Sequence, residues 1–165
     1  MFLTVYLSFV CCAAITLLLI AAVVFVQEIS FFSSAPKEVR ILLKPRDEEL
    51  FPGARAMGWV LIVLSALSIL RAFAAAVWDG FRNGFSFDQF FLRFVLMLTI
   101  YKAYDMVFFD CFLLYRFHFI QYFFPETVPA LEGRKYGFNI KSQLLKLLIV
   151  FPAVSVLAAW ICSIL

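Results

Sequence analysis

Charge is scarce in this chain of 165 residues: Asp, Glu, Lys and Arg make up 15% of it, where an ordinary soluble domain carries about 25%. With 65% hydrophobic and 19% aromatic residues and a mean hydropathy of +0.99, too little polar surface exists to cover a water-soluble globule. Gly and Pro are also sparse, 6 of each, which excludes collagen-like and disordered chains. Cys11, Cys12, Cys111 and Cys162 form no C-x-x-C, so a disulfide-stapled module and thiol–disulfide exchange both lack their motif. They read as small apolar packers. A single histidine, His118, excludes a His-rich metal centre and a His-Glu-x-x-His protease. No G-x-S-x-G, phosphate loop or dinucleotide fingerprint occurs, so neither a cofactor nor nucleophilic hydrolysis is expected. A net charge of +3 without a basic patch gives no reason to expect nucleic acid as a partner.

Long apolar runs are what the chain has instead. Met1 to Val26 carries no charge and is long enough to cross a hydrocarbon core about 30 Å thick. It lacks the basic start and short apolar run of a secretory signal, so it is expected to be retained. Residues 57–78, 90–115 and 143–165 supply three further spans, which predicts an all-α, polytopic transmembrane four-helix bundle forming a single membrane domain over 1–165. The connecting segments 27–56 and 116–142 are polar, and Pro36 to Lys44 within the first reads as a short surface helix. Lys and Arg fix the orientation. Lys37, Arg40, Lys44, Arg46 and Arg55 lie in the first loop, Arg116, Arg134, Lys135 and Lys141 in the third, and Arg82 alone in the second. This asymmetry makes loops one and three cytoplasmic and puts both termini outside, in a bacterial cytoplasmic membrane.

Ionisable groups inside a span cost about 2.5–3.5 kcal/mol each on insertion scales, so each needs a partner, water or a route to the surface. Lys102 and Asp105 fall about 18 Å and about 22 Å along the third span, near the bilayer middle. They stand three apart, close enough to pair, and Tyr101 sits four before Asp105 with a phenol able to donate to it. Asp110 and Lys146 match in depth, which predicts a bridge between the third and fourth spans. Arg71 lies about 10 Å deep in the second span and is expected to snorkel toward Asp79, Asp88 or phosphates. Tyr101, Lys102, Asp105, Asp110, Lys146 and Arg71 thus form the candidate intramembrane polar site, either a functional relay or cavity wall, or a structural clasp. At the cytoplasmic interface, His118, Glu126 and Asn139 form a second candidate site, with the aromatic stretch YRFHFIQYFF in the headgroup layer. Ser68, Ala72 and Ala76 put small residues on one face of the second span, suited to helix packing within the bundle or against a partner.

The stretches DGFRNGFSFDQFFLRF, YKAYDMVFFDCFLL, FFPET, YGFNIKSQ and FPAVSVLAAWIC, between Asp79 and Cys162, resemble small four-span bacterial membrane proteins of uncharacterised function. In that pattern an aromatic residue follows the second aspartate, where this chain has Cys111. The resemblance implies the four-span layout and the grouping of Lys102, Asp105 and Asp110, and no activity. Three functions are open: association as an accessory subunit or homo-oligomer, a transporter or channel subunit with a polar path at Lys102, Asp105 and Asp110, or a lipid-modifying enzyme at the cytoplasmic interface. Membrane lipids and a protein partner or second copy are the expected partners.

Overall fold

The computed structural model describes the chain except residues 1, 33, 34, 36, 45, 47, 133–139 and 165, and the side chains of 111, 115, 140 and 141. Among the described residues all regular structure is helical. Backbone N–H and C=O groups find no water in hydrocarbon, and a helix satisfies them within its own segment. Helix α1, Phe2–Ile20, continues into wider π-helical turns over Ala21–Val26, which close where Gln27 N–H donates to the Ala22 carbonyl at 2.8 Å. A 3-10 turn, Ile29–Phe32, and a short α2, Lys37–Leu42, lead to the long α3, Ala54–Arg82. Helix α4, Phe87–Tyr104, also widens into π-helical turns, here over Asp105–Arg116. Short α5, Phe119–Phe123, and α6, Val128–Leu131, follow. The last helix starts as α7, Ile140–Leu145, passes through π-helical turns at Lys146–Val150, and ends as α8, Phe151–Ile164. Those turns sit directly ahead of Pro152, whose missing N–H loosens the ladder there.

Phe2–Val26, Ala54–Arg82 and Ser142–Ile164 are long and apolar enough to cross a membrane. By length and composition three helices qualify rather than the expected four. The difference lies in Phe87–Arg116, which carries Asp88, Arg93, Lys102, Asp105 and Asp110 before its terminal Arg116 and so falls outside a composition test. It nevertheless packs lengthwise among the others: α1 lies between α3 and α4, and α8 covers another side of α4.

Side-chain size sets these contacts. Ala72 and Ala76 of α3 are buried against Leu7 and Cys11 of α1 and Met97 of α4, so the small-residue face serves packing within the bundle. Ser68 points outward and donates to its own helix at the Leu64 carbonyl. Helices α3 and α4 form a hairpin through Gly84, held at a left-handed φ of 61°, and α4 begins with a Ser86/Gln89 capping box. Beside the turn, Gly80 faces the ring of Phe90, which stacks on Phe94 and packs against Ala159 of α8. At the far end of the bundle the two polar connections build a cap, in which Phe32, Val39, Ile120 and Phe124 bury against Val23 and Leu114.

A Cβ at Gly80 would run into the Phe90 ring. Gly80→Ala should therefore cost about 1–3 kcal/mol from overpacking, less about 1 kcal/mol of better helix propensity, in unfolding measured in mild detergent. In a Phe90→Leu background the same change should become neutral or stabilising; a loss of equal size in both backgrounds would show that the ring is not the obstacle.

Candidate functional site

The register of α4 creates the site. In an α-helix, residues five apart point about 140° away from each other, which would set Asp105 and Asp110 on different faces. From Asp105 onward the helix is π-helical, ending in a five-residue hydrogen bond from Phe117 N–H to the Phe112 carbonyl at 2.9 Å, and residues five apart then share a face. Both carboxylates consequently line one cavity of about 320 Å³. The other two widened stretches reach the same cavity, through Ala22 and Val23 at the end of α1 and through Lys146 ahead of α8. Tyr101 and Lys102 line it from α4, while Phe31, Phe32, Phe119 and Ile120 of the cap contribute an apolar wall. Helix α1 and the Ser142–Ile164 helix each pack on α4 and, among the described residues, have no extensive contact with one another, so the cavity lies in the cleft between them.

Five of the six residues expected in the intramembrane site are thus brought together. Lys102, buried, forms an ion pair with Asp105 as the three-residue spacing predicts. The other two expected contacts are not made. Asp110 and Lys146 line the same cavity from neighbouring helices, yet no ion pair within 4 Å joins them: equal depth along the bundle does not fix the direction in which each side chain points. Tyr101 makes no hydrogen bond to Asp105; the widened turn begins at Asp105, Lys102 takes the carboxylate, and the Tyr101 ring lies 6.4 Å from that of Phe151. Sequence reasoning missed Gln143, which lines the cavity one turn before Lys146 and whose Oε1 is buried with no donor among the described residues. Its spacing of three from Lys146 was the available signal.

Arg71 stands apart, exposed on the outer face of α3. It has no claim on Asp79, because Arg93 takes that carboxylate at 2.7 Å, donates to the Ala76 carbonyl at 2.6 Å and lies 4.2 Å over the Phe85 ring. The tight α3–α4 turn, which brings the start of α4 back beside the end of α3, could have revealed this pair. A second missed link, Thr16 Oγ1 to the Tyr104 hydroxyl at 2.8 Å, ties α1 to α4.

Two residues of the interfacial set are described. His118 is exposed at a left-handed φ of 50° between α4 and α5, Glu126 is engaged elsewhere, and Asn139 lies outside the described residues. Glu126 binds Arg46 at 2.8 Å and thereby clasps the two polar connections together, with the Arg46 guanidinium 5.4 Å over the Phe124 ring. No family model, curated protein or solved structure matches this chain, which leaves its own geometry as the ground for function.

Two predictions follow from these ion pairs. Lys102→Met leaves the Asp105 carboxylate without its cation and should lower thermal stability in detergent by about 3 kcal/mol or more, whereas Lys102→Met with Asp105→Leu should recover most of that loss; equal damage from single and double variants would remove the pair from the account. For the partly exposed cap clasp, a double-mutant cycle of Arg46→Ala and Glu126→Ala should give a coupling of only about 0.5–1 kcal/mol, with faster proteolysis of the cap in each single variant.

Proposed function

We propose that this chain is a four-span protein of a bacterial cytoplasmic membrane, with both termini outside, that binds an amphiphilic molecule with its polar head in the Lys102/Asp105/Asp110/Lys146 cavity. The observation that carries this reading is the convergence of three separate π-helical stretches and four ionisable side chains on one cleft. Widened turns are uncommon and concentrate at functional sites, and charges at this depth are too costly to leave without use. The fourth crossing is supported by α4 running lengthwise between α1 and α8 after a tight turn from α3. On the lysine and arginine asymmetry, the cap and the end of the cavity that it covers lie at the cytoplasmic face.

The cleft is mixed in character, which suits an amphiphile. Leu18, Leu19 and Val23 offer an apolar wall within about 12 Å of the end of the first span, and the ionisable groups stand opposite on α4 and Lys146. A conducting path is less well supported, because beyond Lys102 the buried side chains of α4 are Phe90, Phe94, Met97 and Arg93, and Arg93 is already engaged by Asp79 and the Ala76 carbonyl. Lipid modification by Asp110, His118, Glu126 and Asn139 is less well supported, because Asp110 lines the cavity while Glu126 is taken by Arg46. Association as an accessory subunit or homo-oligomer draws on exposed apolar faces alone, which lipid covers equally well.

Native mass spectrometry from mild detergent should show one bound lipid-sized molecule per chain that survives stepwise activation. Leu18→Trp, which fills the wall of the cleft, should abolish it, while Leu70→Trp on the exposed face of α3 should not. A wild-type chain that sheds all lipid as readily as the Leu18→Trp variant would overturn the reading.

A further inference from the structure

Among the described residues four charged side chains line the cavity, two of each sign, so their formal charges sum to zero. The two that meet, Lys102 and Asp105, satisfy each other and offer the ligand little beyond a polar floor. Asp110 and Lys146 do not meet, and among the described residues neither has another ion-pair partner. A cavity of this kind presents one separated anion and one separated cation. Its neutral total disfavours a ligand of net charge, since such a ligand would bring an uncompensated charge into a partly apolar cleft. Separation of the two groups beyond ion-pair distance disfavours an uncharged ligand too, which would leave both unneutralised.

The third element is Gln143, whose buried Oε1 has no donor. Its placement in the cavity wall, one turn before Lys146, puts an unsatisfied acceptor where a ligand N–H would complete it. From these three groups we infer that the ligand is a zwitterion bearing a protonated amine and an anionic group, the primary-amine headgroup of a neutral phospholipid being the form the cleft fits. The ammonium lies against Asp110 and donates to Gln143, and the phosphate is held by Lys146. Lys146 is itself exposed, at the mouth of the cleft, where a phosphate at headgroup depth would sit. A trimethylated amine has the same charge and no N–H, so Gln143 separates the two. The lateral cleft between α1 and the last helix admits the acyl chains against Leu18 and Leu19 without passage through water. This assignment rests on the amphiphile-binding reading above and specifies its headgroup.

The test titrates delipidated protein in detergent with four short-chain probes, and reads occupancy by native mass spectrometry: phosphatidylethanolamine, phosphatidylcholine, phosphatidylglycerol and the chain-free glycerophosphoethanolamine. Phosphatidylethanolamine should bind about tenfold more tightly than phosphatidylcholine or phosphatidylglycerol, the difference expected of one charge-assisted hydrogen bond or one unmatched charge. Gln143→Leu should abolish the preference over phosphatidylcholine alone. Asp110→Asn should abolish the preference over phosphatidylglycerol, and Lys146→Met should weaken all three phospholipids. Glycerophosphoethanolamine binding as tightly as the diacyl probe would support the zwitterion and assign it to a soluble source. Lipids bound in the cleft without headgroup preference, or with preference for phosphatidylglycerol, would overturn the zwitterion and leave amphiphile binding standing. Failure of every phospholipid to bind, with or without Leu18→Trp, would overturn both.

Discussion

Placing charge in a low-dielectric medium is costly, and in this protein most of that cost falls on one helix. Phe87–Arg116 holds five charged residues ahead of its terminal arginine, whereas the segment Phe2–Val26 holds none. The arrangement of the bundle answers this imbalance. Apolar α1 and α8 flank α4, and its two buried cations are neutralised locally: Arg93 by Asp79, a carbonyl and an aromatic face, Lys102 by Asp105. An uncharged α1 is what permits this, since it can present small and apolar side chains to α3 on one side and shield α4 on the other. The same enclosure explains why the small residues of α3 are consumed inside the molecule rather than offered to a partner.

Helical register then turns enclosure into a cavity. Three helices change from α to π hydrogen bonding at one level, and each change re-aims the side chains that follow. On α4 the effect is to align two aspartates that an α-helix would splay. On the first and last helices it presents small residues at Ala22 and a lysine at 146 to the same space. Were this cleft only a packing defect, apolar residues would line it throughout. Instead, the most polar part of the membrane-buried sequence faces it, which is the distribution a ligand site requires.

Helix content, the positions of the apolar stretches and the pairing of Lys102 with Asp105 were legible in the sequence, because each rests on composition or on α-helical spacing. The convergence of Asp105, Asp110 and Lys146 was legible only as a match in depth, with the wrong contact inferred from it: a depth argument gives height along the bundle and says nothing about azimuth, which the π register alters. Arg93 escaped assignment for a different reason. Its partner Asp79 lies across a hairpin, and the snorkelling argument for Arg71 had already used that carboxylate. The cap was read as two separate polar loops, since nothing local in either segment announces that Arg46 will reach Glu126.

That reach has a consequence for the cavity. The cap contributes the Phe31, Phe32, Phe119 and Ile120 wall, and Arg46–Glu126 joins the two connections from which those residues come. Phe32 packs edge-on against Phe124 at 4.9 Å between ring centres, directly beneath the Arg46 guanidinium. A single clasp therefore holds the wall in position from outside, without contributing a charge to the cavity. Access from the cap side is blocked by buried aromatic packing, and access from the opposite end by Phe90, Phe94 and Met97. The remaining direction is sideways, between α1 and the last helix, which on the proposed four-span layout is the side that faces lipid. On that proposal a ligand arriving by this route must be at home in the bilayer while offering charges to a neutral pair of partners, and that combination of demands is the ground for proposing an amphiphile over an ion.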